Sequence, residues 1–168
     1  MSANGGMTWT SQTSGITGQI NDVFFFNGSK GWAAGQNNTI LRTVNGGSTW
    51  SVVVSAAIPS VVNAVYFVSE NTGWVVANGG VILKSTDGGQ TWASQSSGTT
   101  QNLLSVYFTD EQKGWAVGFN GTILHTSNGG NNWTVQPSGT ANALLSVAFA
   151  DENYGVVAGN GGVILKTA

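Results

Sequence analysis

The basic residues are the first candidates for chemistry in this chain, because several guanidinium groups converging on one point can bind a carboxylate ligand. The sequence contains one arginine, Arg42. Lys84, His125 and Lys166 follow it at intervals of 42, 41 and 41 residues, so a basic residue recurs at a nearly fixed spacing. We interpret this series as a solvated column of cations in which His125 replaces a lysine. It predicts neither a carboxylate receptor nor a catalytic base or metal ligand.

The carboxylates follow the same spacing. Glycoside hydrolysis requires two carboxylates that face each other across a bond, about 5 to 10 Å apart. Glu70, Glu111 and Glu152 are 41 residues apart, and so are Asp110 and Asp151. A catalytic pair ordinarily breaks such a symmetry, because its two carboxyl groups have different roles. The sequence therefore predicts that the protein is not an enzyme.

The charge content disfavours several other classes of partner. Charged residues make up 7% of the chain, with five Lys and Arg and seven Asp and Glu, whereas a nucleic-acid interface needs basic residues clustered on one face. The absence of Cys rules out disulfides and thiolate metal sites. No apolar run reaches the roughly 18 residues of a membrane span. We expect no cofactor, no metal, no nucleic-acid partner and no membrane span.

The composition is nevertheless that of a folded protein. Hydrophobic residues make up 40% of the chain, which includes seven Trp and seven Phe and has a net charge of -2, whereas disordered chains combine low hydrophobicity with high net charge. Uncharged polar residues and Gly must therefore cover the surface. This composition suggests an extracellular or periplasmic origin, although the N-terminus lacks the basic-then-apolar order of a secretory signal.

The regular spacings belong to an internal repeat. One turn motif occurs four times, as NGGMTW, NGGSTW, DGGQTW and NGGNNW, and its tryptophans are 41, 42 and 41 residues apart. The first and last residues of the four copies are Asn4 and Trp9, Asn45 and Trp50, Asp87 and Trp92, and Asn128 and Trp133. A second series, Trp32, Trp74, Trp115 and Val156, runs in step with it. The period is therefore a property of the whole unit.

Each unit of about 41 residues predicts four short strands, here called A to D. In the third unit they cover residues 103–109, 114–118, 122–126 and 132–136. Asn-Gly and Asp-Gly pairs between them tolerate the positive φ that tight hairpins need, and no segment has apolar residues at helical spacing over ten or more positions. Four-stranded units of this length are typical of propeller blades. The sequence therefore predicts an all-β protein, a β-propeller of four four-stranded blades.

The blades are assigned to residues 13–54, 55–95, 96–136 and 137–168 of a single propeller or half-propeller domain that spans 1–168. Residues 4–12 would complete the fourth blade, so we expect the N-terminal strand to close the ring. Four blades in one ring splay about 90° apart and open wide gaps at the rim, whereas eight blades splay about 45°. We therefore expect a homodimer that forms one eight-bladed ring, with a closed four-bladed monomer as the alternative.

The motif also carries a family resemblance. The segment STDGGQTW at 85–92 resembles the Asp-box of bacterial neuraminidase repeats, and residues 103–133 are similar to photosystem II stability and assembly factor-like repeats. The resemblance covers the whole chain and implies the propeller fold, whereas Asp-boxes recur in sialidases, xyloglucanases, sorting receptors and assembly factors. Asn replaces Asp in three copies, and either side chain can hold the turn while the Trp packs between sheets. We interpret the eight motif residues named above as structural.

The connections between strands are the remaining candidates for function. In a four-stranded blade the D–A and B–C connections lie at one end, and recognition is usually found in loops that vary on a rigid scaffold. The candidate ligand residues there are Gln36, Asn37, Asn38, Asn78, Phe119, Asn120 and Asn160. Amides with one aromatic ring would suit a peptide or a neutral glycan.

The resemblance to assembly-factor repeats implies a non-enzymatic scaffold or protein-interaction module. A carbohydrate-binding, lectin-like propeller is the alternative, and a sialidase-like glycoside hydrolase is a second, weaker alternative. Because the chain enters and leaves the repeat within one turn, we also consider an engineered or excised repeat unit whose only function is to fold and assemble.

Overall fold

The computed structural model describes residues 4–53 and 61–167, which form four antiparallel sheets in which consecutive strands are neighbours. Sheet 1 contains β1 (Ile20–Phe25), β2 (Gly31–Gly35), β3 (Ile40–Thr43) and β4 (Ser51–Val53). Sheet 2 contains β5 (Val62–Phe67), β6 (Gly73–Ala77), β7 (Ile82–Ser85) and β8 (Ala93–Gln95). Sheet 3 contains β9 (Leu103–Phe108), β10 (Gly114–Gly118), β11 (Ile123–Thr126) and β12 (Thr134–Gln136). Sheet 4 contains β13 (Leu144–Phe149), β14 (Gly155–Gly159) and β15 (Ile164–Lys166).

The predicted all-β propeller fold is confirmed. Within the described residues, the helical segments are three single 3-10 turns, Asn78–Gly80, Phe119–Gly121 and Asn160–Gly162, each joining strands B and C of a sheet. Strand B of the third unit has the predicted bounds, whereas strand D begins two residues later, at Thr134. The reason is that the amide of Asn132 bonds to the Asn128 side chain at 2.9 Å and so belongs to the motif turn. The predicted loop 55–61 lies, apart from Val61, outside the described residues.

Close packing within each sheet explains why strand B begins with a Gly, directly before its Trp or Val. Gly73, at the start of β6, lies opposite Phe67 in β5. A Cβ on Gly73 would come within 2.4 Å of the Phe67 ring, a distance that real side chains do not reach. Phe67 therefore lies flat over the backbone of its neighbour, where a larger residue would displace it.

Aromatic stacking joins each sheet to the next. Trp32 of sheet 1 stacks on Phe67 of sheet 2, with ring centroids 3.5 Å apart and planes 9° apart. Trp74 stacks on Phe108 of sheet 3 at the same separation. The third pair, between sheets 3 and 4, is 3.7 Å apart. The strand-B tryptophans are therefore buried packing residues that hold neighbouring sheets together.

The fourth sheet differs from the other three. It has three strands, because β15 is its last strand and residues 4–12 form no strand. Trp9 is 77% exposed and lines a cavity of about 460 Å³ with Val23 and Phe25 on the outer face of sheet 1. The predicted four-stranded form thus applies to the first three blades. Residues 4–12 lie beside sheet 1 and not beside β15, which is the strand C of sheet 4. Closure of the ring by the N-terminal strand therefore stays a prediction.

Candidate functional site

The two ends of the propeller bring different turns together. At one end, the A–B turn contacts the C–D turn of the same sheet, as where the Gly46 amide donates to the Ser29 carbonyl at 2.8 Å. At the other, the B–C turn contacts the D–A loop, as where the Gln36 amide donates to the Gln19 carbonyl at 2.9 Å. We call the first the motif end. We call the second the amide face, which consists of residues 13–19, 36–39, 78–81, 96–102, 119–122, 137–143 and 160–163.

At the motif end, the Asp87 carboxylate is engaged within its own turn. One oxygen accepts hydrogen bonds from the amides of Gln90 and Thr91 at 3.0 and 2.9 Å and from the Ser85 hydroxyl at 2.8 Å. The other accepts the Thr91 hydroxyl at 2.6 Å. Burial raises the pKa of Asp87, but these hydrogen bonds outweigh it and lower the pKa to about 2.

The asparagine copies make the same turn without a charge. The side-chain oxygens of Asn4, Asn45 and Asn128 each accept the backbone amide four residues on, at 3.1, 3.0 and 2.9 Å. The four motif side chains are therefore all used in turn formation. This geometry supports a structural role for the motif and explains why Asp and Asn are interchangeable in it.

Replacing Asp87 by asparagine should remove an acid-sensitive contribution to stability. The pKa of Asp87 in the folded state is about 2, below its ordinary value of 3.8, so the contribution is present above pH 4 and is lost as the pH falls towards 2. Thermal unfolding midpoints measured from pH 7 to pH 2 should fall less steeply below pH 4 in the Asp87→Asn variant than in the wild type. Parallel curves for the two proteins would contradict the assignment.

The motif tryptophans are buried in two sheets and exposed in one segment. Trp92 and Trp133 are buried with their edges on Phe67 and Phe108, at centroid distances of 5.9 and 5.8 Å. Trp50 makes the same contact with Phe25 of sheet 1, while the exposed Trp9 differs, as described above. Trp92 and Trp133 thus pack between neighbouring sheets, whereas Trp50 of sheet 1 is half-buried.

The interpretation of the basic series as a solvated column is wrong for Arg42 and Lys84, whereas Lys166 is exposed as expected. The Arg42 Nε donates to the Gly88 carbonyl of the next motif turn at 2.7 Å, and the Lys84 Nζ donates to the Gly129 carbonyl at 3.1 Å. Lys84 also lies over Trp74, 5.0 Å from the ring centroid. These half-buried cations therefore join neighbouring sheets. Since the Arg42 guanidinium and the Lys84 ammonium are each held against a motif turn, the series does not form a receptor for a carboxylate ligand.

The acidic residues likewise contact turns or neighbouring sheets. Lys30 pairs with Glu70, and Lys113 pairs with Glu152, each across an interface between sheets. In the described ranges, no group of three or more His, Asp and Glu side chains could hold a metal ion. The same ranges contain no helix long and apolar enough to cross a membrane.

The amide face has no formal charge and a network of hydrogen bonds between neighbouring sheets. None of its segments contains Asp, Glu, Lys, Arg or His. Asn120 donates to Gln101 at 3.0 Å, and the Gly79 amide donates to the Asn102 side chain at 2.9 Å. Phe119 is 42% exposed among these amides. The face therefore offers neutral donors and acceptors in positions fixed by the turns.

A family comparison matches the whole chain. The family described as photosynthesis system II assembly factor YCF48 matches residues 1–98, 51–133 and 93–168. The chain belongs to this family. A sequence comparison with the curated proteins finds no match for it.

Solved structures of YCF48 share this fold at low sequence identity. YCF48 from Cyanidioschyzon merolae is 22% identical, with a TM-score of 0.78 over 90% of this chain and 51% of that chain. YCF48 bound to D1 peptide is 21% identical, with a TM-score of 0.65 over 90% of this chain and 65% of that one. This chain thus spans about half to two thirds of the length of these YCF48 structures. An ancestral GH74 enzyme is 19% identical, with a TM-score of 0.75 over 95% of this chain and 24% of that chain.

In this member of the YCF48 family, the seven predicted ligand residues all lie in B–C turns on the amide face. Three of them have positive φ: Asn37 (57°), Asn38 (60°) and Asn120 (52°). Asn tolerates this conformation better than most residues, so turn geometry accounts for part of their identity. The sequence prediction missed Asn63 in β5, which donates to Asn78 at 2.9 Å. Its signal was an amide inside an otherwise apolar strand.

Proposed function

We propose that this protein is a non-enzymatic scaffold that binds an extended, uncharged peptide segment of a partner protein on the amide face. The observation that carries the proposal is the absence of charge from that whole face, combined with side-chain amides fixed by neighbouring turns. Peptide backbone presents alternating N–H and C=O groups, which such amides complement in both roles. The exposed Phe119 adds an apolar contact beside them.

The family supports this proposal. Its solved members include a YCF48 bound to D1 peptide. The charged residues support the non-enzymatic part. Glu70 and Glu152 pair with lysines, and Asp110 and Asp151 accept hydrogen bonds within turns. Glu111 accepts a hydrogen bond from Ser69 of the neighbouring sheet. A sialidase-like or other glycoside hydrolase would instead need carboxylates facing each other across an open cleft.

Peptide binding is tested with the purified chain and a synthetic D1 peptide in an isothermal titration. Changing Phe119 to Ser should weaken binding at least about fivefold, because the variant loses the exposed ring of the face. Val135→Ser is the matched control, since Val135 is an exposed apolar residue on strand β12, away from the face. Equal affinities for both variants and the wild type would contradict the proposed site.

A carbohydrate-binding propeller is the alternative, because a neutral amide face also suits sugar hydroxyl groups. A neutral-glycan array probed with the same three proteins separates the two functions. Saturable sugar binding that is lost in Phe119→Ser, with no binding of the peptide, would favour the lectin. Turnover of a sialoside or a β-glucan would favour the hydrolase. If the chain binds neither the peptide nor a glycan, the result would favour a unit that only folds and assembles.

We also propose that the chain acts as a homodimer that forms one eight-bladed ring, with the closed four-bladed monomer as the alternative. Each protomer would supply one propeller unit over residues 1–168, with blades at 13–54, 55–95, 96–136 and 137–168 and the last completed by residues 4–12. Two copies would place two amide faces on one end of a ring.

A further inference from the structure

The three interfaces between neighbouring sheets follow one pattern. In each, the leading face of one sheet packs on the following face of the next. At the first interface, the leading face consists of Trp32, Ala34 and Ile40, and the following face consists of Val62, Val65, Phe67, Val75, Leu83 and Trp92. The second interface repeats these contacts one period further along the chain, and the third repeats all of them except that of the motif Trp. The pattern therefore defines which residues would form a further interface.

Each end of the four-sheet array carries one half of this pattern. The following face of sheet 1 has Ile20, Val23, Phe25, Ala33, Leu41 and Trp50 at the equivalent positions. The leading face of sheet 4 has Val156, Ala158 and Ile164. Val23 is 57% exposed and Ile164 is 73% exposed, whereas their equivalents Val65 and Ile82 are buried. On sheet 1 the exposed part of the face consists of Ile20, Val23 and Phe25, since Ala33 and Leu41 are already buried. The two exposed halves are complementary, since one is a leading face and the other a following face.

The polar contacts extend the same complementarity. At the first interface the Val65 amide donates to Asp22 Oδ2 at 2.9 Å, and the third interface repeats this bond through a serine hydroxyl at 3.3 Å. The equivalent residues at the exposed ends are Ser146 as acceptor and the Val23 amide as donor, which here donates to Asp22 Oδ1 at 2.8 Å. The same contact with the sheet 1 of another molecule would require the Val23 amide to turn from Asp22 to Ser146.

A basic side chain at the exposed end of sheet 4 also has a matching acceptor. The bond from a cation to the next motif turn, described above for Arg42 and Lys84, has its fourth equivalent in Lys166 and the Gly46 carbonyl. This bond would again run from sheet 4 to a sheet 1. The charge of Lys166 would then be satisfied at the interface.

The missing strand of sheet 4 has a defined counterpart and register. Beside β7, Lys84 pairs with Ala93 of strand D, and the equivalent pair beside β15 is Lys166 with Thr10. Gln12 lies eight positions before the start of β1, and the last residue of β8 likewise lies eight positions before the start of β9. A cavity of about 640 Å³ beside β15, lined in part by Phe149, has room for this strand. Trp9 would lie edge-on to Phe149, as its equivalents do in sheets 2 and 3.

We propose that a second copy of this chain completes both exposed halves: sheet 4 of each copy packs on sheet 1 of the other, and residues 9–12 of each copy form the fourth strand beside β15 of its partner, with Thr10 opposite Lys166. This proposal rests on the homodimer proposed above and names its interface. A D–A loop always leads from one sheet to its neighbour, so residues 4–12 need not leave their place beside sheet 1. Two identical interfaces related by a twofold axis leave neither exposed half uncovered.

A cysteine cross-link tests the register, because the chain contains no Cys of its own. Opposed residues of antiparallel strands have Cα atoms about 4.5 to 5.5 Å apart, within the range that a disulfide bridges. After oxidation, the Thr10→Cys/Lys166→Cys variant of this chain should migrate on a non-reducing gel as a covalent dimer of twice 17.3 kDa. Light scattering of the unmodified chain at micromolar concentration should give the same doubled mass.

Two matched pairs control the cross-link. His125→Cys/Thr134→Cys bridges the equivalent pair within one chain and should give an oxidised monomer. Ser11→Cys/Lys166→Cys is shifted by one residue, which directs the two side chains to opposite faces, and should cross-link at least about tenfold less. An intrachain disulfide in the Thr10 variant would establish the closed monomer and overturn the proposal. So would the absence of any disulfide alongside an oxidised intrachain control, or a wild-type mass of 17.3 kDa.

The cross-link tests the proposed interface and the peptide titration tests the amide face, so either proposal can fail without the other. Phe119→Ser should retain the doubled mass, because Phe119 lies outside both exposed halves. Loss of peptide binding with an intact covalent dimer would contradict the proposed amide-face function alone. Peptide binding by a 17.3 kDa monomer would contradict the interface alone.

Discussion

Replacing Trp74 by alanine is expected to lower the free energy of unfolding by about 3–5 kcal/mol, the usual cost of truncating a buried Trp. Trp74 is fully buried and stacks on Phe108 across the interface between sheets 2 and 3. Its indole nitrogen has no acceptor among the described residues, so the loss comes from packing and the cavity that remains. Urea unfolding followed by tryptophan fluorescence or circular dichroism measures the change.

Val135→Ala is the matched control for this prediction. Val135 is an apolar strand residue of the same protein, but it is 68% exposed, so its truncation should change the free energy of unfolding by less than about 0.5 kcal/mol. Similar unfolding midpoints for Trp74→Ala and Val135→Ala would mean that the interface between sheets does not stabilise the fold.

Replacing Gly121 by alanine is expected to cost about 2–5 kcal/mol, from about 1–2 for the left-handed backbone of a non-Gly residue and about 1–3 for overpacking. Gly121 has φ +64°, and a Cβ there would lie 1.9 Å from the Thr140 carbonyl oxygen. The Gly121 amide also donates to the Asn142 carbonyl at 3.0 Å. The B–C turn would have to leave the neighbouring loop, which moves Phe119 away from its place on the amide face.

Gly139→Ala separates the two causes of this cost. Gly139 has φ +71° on the same face, but no atom lies within 4 Å of the position of an added Cβ. This variant should lose only about 1–2 kcal/mol from backbone strain. It should retain peptide affinity, whereas Gly121→Ala should lose stability and affinity together. Equal stabilities for the two variants would mean that the turn is free to move away from the loop.

Local chemistry made the fold predictable from the sequence. The Gly-Trp that opens strand B, the Asn-Gly or Asp-Gly turn and the 41-residue period are all local signals, and they led to the propeller and to the bounds of β10. The amide face could also be located, since a meander places its B–C turns and D–A loops at one end. The eight motif residues and the seven face residues could thus be assigned to their turns from the sequence, while their roles stay proposals.

Contacts between sheets could be decided only by the tertiary structure. The sequence shows that Arg42 and Lys84 are equivalent, but it does not show that each donates to a motif turn some 45 residues away, so both were expected in solvent. The period likewise predicts a fourth strand beside β15 without showing which molecule supplies it. The physical reason is the same in both cases: hydrogen bonds within a turn depend on neighbouring residues, whereas the surroundings of a sheet face depend on the sheet that packs against it.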